Sequence, residues 1–198
     1  INTSSCFVYK QNGEVLHENN PVEPTNYYAL TKYFSEKLCR FYARNYGLNS
    51  MTLRIFSPYG PGDHDRRLIP SVIKNYYDGQ APQTTTGTQK WDFVYIDDIV
   101  EAYVRAIEHK PNGHEIYNIG SGQAIAVKDI VKRIQELMGS KIEPLWGAIP
   151  HRSNEIWSMT ADITKIQKVL GWQPKTEILK DGLQKTVEAF VQKYGGTE

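Results

Sequence analysis

Residues 28–56 read Tyr28-Ala29-Leu30-Thr31-Lys32-Tyr33-Phe34-Ser35-Glu36-Lys37-Leu38-Cys39-Arg40-Phe41-Tyr42-Ala43-Arg44-Asn45-Tyr46-Gly47-Leu48-Asn49-Ser50-Met51-Thr52-Leu53-Arg54-Ile55-Phe56. Leu30, Phe34, Leu38, Phe41 and Tyr42 recur at three- and four-residue steps, which predicts a helix from Tyr28 to Tyr46 that Gly47 closes. Met51 to Phe56 then reads as a short strand, stopped by the turn residues Ser57-Pro58-Tyr59-Gly60-Pro61-Gly62. Working outward, Ile1 to Val8 is the end of a strand running into a loop. Asn12 to Thr25 is polar, with turn signals at Asn19-Asn20-Pro21 and Pro24.

Leu68 to Tyr77 reads as helix, Phe93 to Ile96 as strand, and Asp97 or Asp98 as the cap of a helix through Ile107. Val127, Ile130, Val131, Ile134, Leu137 and Met138 fall on one stripe of a further helix. Asp162 is expected to cap a short helix closed by Gly171, with Pro174 beyond it, and Thr176 to Tyr194 to form a last helix. Strands alternating with helices predict an α/β fold with a largely parallel sheet.

The chain has 198 residues, 40% of them hydrophobic, enough for a real core, and a formal charge of +1. Beyond Arg66-Arg67 it has no basic run, so nucleic-acid and membrane-surface roles have no electrostatic footprint. Cys6 and Cys39 are the only cysteines. No histidine pair stands at ligand spacing, which gives no footing to a disulfide framework or a zinc site. No apolar run approaches the roughly 18 residues needed to span a bilayer. A cytoplasmic protein with a small-molecule ligand is expected.

Tyr28 and Lys32 lie four residues apart, on one helix face. With 13 tyrosines and 15 lysines in the chain, that spacing arises about once by accident, and Tyr33 and Lys37 repeat it. The physics nevertheless gives Tyr28 and Lys32 a task if they meet a hydroxyl. A free tyrosine titrates near pH 10, so a phenol acting as a base near neutrality needs adjacent positive charge to stabilise its phenolate.

Context chooses between the two pairs. The stretches Thr3-Ser4-Ser5-Cys6-Phe7-Val8-Tyr9 and Pro24-Thr25-Asn26-Tyr27-Tyr28-Ala29-Leu30-Thr31-Lys32 open a series of motifs. It continues with Leu53-Arg54-Ile55-Phe56-Ser57-Pro58-Tyr59-Gly60-Pro61, Trp91-Asp92-Phe93-Val94-Tyr95-Ile96-Asp97-Asp98 and Tyr117-Asn118-Ile119-Gly120-Ser121-Gly122. Arg152-Ser153-Asn154-Glu155 and Leu170-Gly171-Trp172-Gln173-Pro174 complete it. In this order the motifs resemble the extended short-chain dehydrogenase/reductase family, whose members act mostly on nucleotide-activated sugars.

The resemblance implies the C-terminal part of a doubly wound, Rossmann-like parallel sheet plus a smaller mixed α/β substrate lobe. The rear part of the NAD(P)-binding domain would span residues 1–60 and 91–110, and the nucleotide-sugar lobe 61–90 and 111–198. It implies Ser5, Tyr28 and Lys32 as catalytic residues, leaving Tyr33 and Lys37 structural. Tyr28, Lys32, Ile55 and Pro58 would hold NAD or NADP. Ser5, Ser57, Leu68, Ile69, Thr84, Thr86, Lys90, Trp91 and Arg152 would line the substrate site. A homodimer formed by packing the Tyr28 helix into a four-helix bundle is also implied, although an intramolecular contact explains the Leu30/Phe34/Leu38 stripe equally well.

Gly120-x-Gly122-x-x-Ile125 imitates a dinucleotide fingerprint, but its third position, which must be small for close helix packing, is Ile125. The true glycine-rich loop is expected roughly 100 residues ahead of Ile1, since each βαβ unit takes about 30 residues.

Departures from the family pattern narrow the chemistry. Members that dehydrate the sugar carry an Asp-Glu pair where this chain has Cys6 and Phe7, neither of which abstracts a carbon-bound proton as a carboxylate does. Cys6 reads as a small packed side chain in preference to a reactive thiol. Ser57 stands where the family has Asn. Trp91 stands where an Arg usually meets the diphosphate, leaving Arg152 as the matched partner and Lys90 as a candidate substitute. The expectation is a 4-epimerase or a 4-keto-sugar reductase; the alternatives are a non-catalytic nucleotide-sugar binder and a reductase of a non-nucleotide substrate.

Overall fold

The computed structural model describes residues 1–11, 13 and 15–196; Asn12 and Glu14 of the expected polar loop, and Thr197 and Glu198, lie outside the described residues. The first half runs β1 (Asn2–Ser5), a 3-10 turn (Cys6–Val8), β2 (Val15–Leu16), α1 (Tyr27–Tyr46), β3 (Ser50–Ile55), β4 (Ser57–Tyr59), α2 (Leu68–Tyr77) and β5 (Lys90–Tyr95). The second runs α3 (Ile96–Glu108), β6 (His114–Ile119), β7 (Ala124–Ala126), α4 (Val127–Leu137), β8 (Ser158–Ala161), α5 (Thr164–Leu170), a π-helical turn (Ile178–Gly182) and α6 (Leu183–Gly195).

Local chemistry explains where α1 begins and ends. Asn26 Oδ1 accepts the Ala29 amide at 2.9 Å, satisfying an amide the helix cannot use, and Gly47 closes the helix at φ 67°. Three parallel strands, ordered β1-β3-β6, form the first sheet. Ser5 pairs with Ile55, and Ile55 with Ile119, so the three strands end level at their carboxyl ends. A second sheet runs β2-β8-β5-β4 in parallel, with β7 antiparallel on β5. Phe56 alone separates β3 from β4, so the chain passes from one sheet to the other beside the end of β1.

Residue alternation along β3 sorts its two faces. Met51 and Leu53 enter a core with Ala102 and Ala106 of α3, Tyr117 and Ile119 of β6, and Ile166 and Leu170 of α5. Thr52 and Arg54 face the other way, toward α1. The residues α1 buries are Ala29 and Glu36, whereas Phe34 and Leu38 of its apolar stripe are each 58% exposed. The stripe therefore makes no intramolecular core. The Arg54 guanidinium instead grips Glu36 with two bonds, Nε to Oε1 at 2.9 Å and Nη2 to Oε2 at 2.7 Å. A second core packs Ile73 of α2, Ile130 and Ile134 of α4 and Phe190 of α6 against Phe93 and Tyr95.

Several expectations need correction. Ser57 to Tyr59, read as a stop, is strand β4, because its backbone pairs with Phe93 to Tyr95. Neither Asp97 nor Asp98 caps α3, which starts at Ile96; the Asp98 carboxylate accepts the amides of Lys175 and Thr176 at 3.1 and 3.0 Å. The last helix is broken by the π-helical turn. At its end the Tyr59 hydroxyl occupies the space a Cβ on residue 182 would need, so only glycine fits. In the strand pairing, β6 joins the first sheet and β5 the second.

Removing one partner of a buried ion pair leaves an uncompensated charge. Glu36→Ala is expected to lower unfolding free energy by about 3–5 kcal/mol, measured by urea denaturation.

Candidate active site

β1 delivers Ser5 to the carboxyl end of the first sheet, where open α/β folds bind their ligands. Ser5 is 4% exposed, and its Oγ accepts the Phe7 amide at 3.3 Å, which starts the 3-10 turn. That turn swings Phe7 edge-on against the Tyr28 ring, with centroids 6.5 Å apart. Tyr28, in the first turn of α1, is 53% exposed, so its phenol is open to a ligand.

Lys32 lies one turn further along. Its Nζ donates to the Thr3 carbonyl at 3.0 Å and sits 5.6 Å from the centre of the Tyr28 ring. An ammonium has three donors, so two remain for the hydroxyls of a bound ribose. Ile55 and Pro58, both half-buried, flank the crossover from β3 to β4. This end of the sheet thus offers a cation, an accessible phenol and a hydroxyl, a donor set that suits the ribose and nicotinamide end of a dinucleotide. The other Tyr/Lys pair differs in its surroundings: Tyr33 packs against the core around Tyr9 and Phe56, with Lys37 Nζ 4.7 Å from its ring centre.

Cys6 is 2% exposed among Val8, Tyr9, Leu16 and Phe56, and burial pushes its thiol up to about 12. A thiol so placed is neither nucleophile nor base near neutrality.

The Gly120-x-Gly122 turn is turned inward. The Asp92 carboxylate, fully buried, accepts the amides of Ser121, Gly122 and Ala161 at 2.5, 2.9 and 3.0 Å and the Ser121 hydroxyl at 2.7 Å. A Cβ on Gly120 would approach Asp92 Oδ2 to 2.8 Å. These amides hold a carboxylate of the chain itself, leaving the turn no capacity for a cofactor phosphate.

Beside the β3–β4 crossover opens a cleft of about 320 Å³. It brings together Ser57, Pro58, Leu68, Ile69, Trp91 and Arg152 from the expected set, over a floor that includes Tyr59 and Phe93. Trp91 is fixed by its Nε1, which donates to the Ile156 carbonyl at 3.0 Å, and its ring lies tilted on Phe93. Four of the expected substrate residues, Ser5, Thr84, Thr86 and Lys90, are not on this lining. Thr84 is buried and bonds the Thr85 carbonyl, and Thr86 bonds Thr88 and His151. Lys90 is exposed and, by strand alternation, opposite Trp91 and Phe93. Asp63, Arg66 and Arg67 also line the cleft. Sequence reasoning passed over them because two adjacent arginines carry no spacing that marks a site.

Comparison with known proteins adds family evidence. The model of the "NAD dependent epimerase/dehydratase family" matches residues 1–120. The dTDP-4-dehydro-6-deoxyglucose reductase of Escherichia coli is 32% identical over 195 residues, 95% of this chain and 60% of the relative. The UDP-glucose 4-epimerase of Thermotoga maritima, solved with UDP-glucose, superposes with a TM-score of 0.90 at 30% identity over 97% of this chain and 63% of that one. The UDP-glucuronic acid 4-epimerase of Bacillus cereus, solved with UDP-glucuronic acid and NAD, gives 0.87 at 29% identity over 97% and 61%. The chain spans about three fifths of the length of the relatives it matches.

Two measurements check this site. Folded Cys6 holds its proton more tightly than the unfolded thiol, whose usual value is 9.0. Its contribution to stability is thus complete below pH 9 and fades as pH climbs toward 12. Iodoacetamide at pH 8 should label Cys6 at least about 100-fold more slowly in the native protein than in urea, read by peptide mass. Asp92→Asn puts an amide group against four donors and should cost about 2–4 kcal/mol in urea denaturation.

Proposed function

The chain belongs to the NAD-dependent epimerase/dehydratase family, and from that premise we propose that it carries the proton relay and substrate cleft of a nucleotide-sugar 4-epimerase or 4-keto-sugar reductase. One observation carries the reading: Lys32 is held between the Thr3 carbonyl and the Tyr28 ring at the end of the strand that finishes in Ser5.

A bound NAD or NADP supplies the acceptor and donor of the hydride at sugar C4. Tyr28 takes the proton of the 4-hydroxyl as that carbon is oxidised, and returns it when the ketone is reduced. Ser5 hydrogen-bonds the same oxygen and holds it on the Tyr28 side. The Lys32 ammonium, held beside the Tyr28 ring, gives its remaining donors to the ribose hydroxyls. Epimerisation requires the 4-keto sugar to present its other face before reduction; a reductase needs only the second half. The apolar Phe7 and the inert Cys6 favour this redox chemistry at one carbon over dehydration, which needs a further carboxylate.

Ser57, Leu68, Ile69, Trp91 and Arg152 form the substrate wall, with Arg152 on the diphosphate, and Ile55 and Pro58 border the cofactor. We keep the two-lobed organisation, with β6 counted in the cofactor-binding sheet. The exposed α1 stripe supports a homodimer, since an apolar patch of this kind on a folded surface marks an interaction site. A cytoplasmic setting fits a nucleotide-sugar substrate.

Tyr28→Phe in the native protein should lower turnover of nucleotide sugar by about 100- to 10,000-fold at unchanged fold, measured by a coupled NAD(P)H assay. Wild-type turnover in that variant would sink the assignment. Arg152→Ala should mainly raise KM; intact affinity would favour a non-nucleotide substrate.

A further inference from the structure

We propose that Arg66 is the second guanidinium of an anion clamp, acting with Arg152 on the diphosphate of a nucleoside diphosphate. The inference rests on the nucleotide-sugar reading above and assigns the residue that does the work a cation on β5 would otherwise do.

Both arginines line the same cleft, Arg66 from the loop between β4 and α2 and Arg152 from the segment before β8. Neither guanidinium has a hydrogen bond or ion pair among the described residues, while Arg54, Arg105 and Arg133 are each engaged by a glutamate. The carboxylate on the lining, Asp63, is already held by the His64 amide at 2.8 Å and by Arg67 Nε at 3.5 Å. Three arginines against one committed aspartate leave the cleft with an excess of planar, fork-shaped donors, which match phosphate oxygens in pairs.

Position 91 cannot supply the second cation, because it holds a tryptophan whose ring nitrogen is spent on the Ile156 carbonyl. Lys90 projects from the opposite face of β5. The Arg66 loop, by contrast, is tied down on both sides. Asp65 pairs with Lys193 at 3.0 Å, the Arg66 amide donates to His64 Nδ1 at 3.1 Å, and the Arg67 amide donates to the His64 carbonyl at 2.9 Å. Within that loop the Arg66 guanidinium has no partner among the described residues, and it shares the cleft lining with Tyr59, Trp91 and Phe93.

The test is calorimetric titration of the native protein with UDP, GDP, dTDP and CDP, then with the monophosphate and the uronic acid conjugate of whichever binds. Arg66→Ala should weaken diphosphate binding about 10- to 100-fold and monophosphate binding much less. Arg66→Lys should restore part of the loss, and Arg66→Ala with Arg152→Ala should erase the preference for diphosphate. Wild-type diphosphate affinity in Arg66→Ala, with loss in Arg152→Ala, would overturn the clamp and leave the nucleotide-sugar reading standing. A loss confined to the uronic acid conjugate would also overturn it, making Arg66 a reader of the sugar carboxylate. Failure of the wild-type protein to bind any of the four would overturn both.

Discussion

The ion pair between Arg54 and Glu36 sets the position of α1, and with it everything mounted on that helix. Glu36 follows Lys32 by four residues and Tyr28 by eight, so all three share a helix face. Turning α1 by one residue, about 100°, would take Glu36 off the Arg54 fork and Lys32 off the Thr3 carbonyl together. The pair is reinforced on both sides. Ser4 Oγ donates to Glu36 Oε1 at 2.5 Å, and the Arg54 guanidinium lies 4.5 Å from the centre of the Tyr9 ring. Tyr9 in turn donates to Asn118 Oδ1 at 2.6 Å, and Asn118 Nδ2 to the Leu16 carbonyl at 2.8 Å. Burying charge is costly and adds little net stability. What it gives here is a single rotational setting, which a greasy helix face sliding on a greasy sheet would not enforce.

Asp92 plays the matching part in the second sheet. Its carboxylate gathers the turn after β6 and the end of β8. Burial pushes its carboxyl above the usual range while the four donors pull the other way. Two carboxylates, one under α1 and one under the Gly120 turn, thus each tie down one part of the fold. The apolar cores fill volume behind them.

The long elements were legible in the sequence because their cues are local. Asn26 and Gly47 bracket α1 through backbone bonds their own chemistry dictates, and α4 buries Val127, Ile130, Val131 and Ile134 as its stripe requires. Strands β2, β7 and β8 escaped because two to four residues carry no period. The α1 stripe gave no orientation because the sheet face it might have met is polar, carrying Ser4, Thr52 and Arg54. The order of motifs singled out Ser5, Tyr28 and Lys32, and the fold sets Ser5 at the end of β1 and the other two on one face of α1. Arg66 was illegible because what marks it is a guanidinium without a partner among the described residues, which only three-dimensional structure reveals. Lys90 and Trp91 were adjacent in sequence but lie on opposite sides of β5, as a pleated strand demands.

The bond from Lys32 to the Thr3 carbonyl has an entropic consequence. A free lysine loses roughly 1.5–2 kcal/mol of rotamer freedom when it is pinned. Here the pinning happens when the chain folds, against the Thr3 backbone oxygen. The ordering cost is charged to folding, and under the proposed function an arriving ribose would meet an ammonium already aimed, leaving its binding energy for alignment of the reacting atoms.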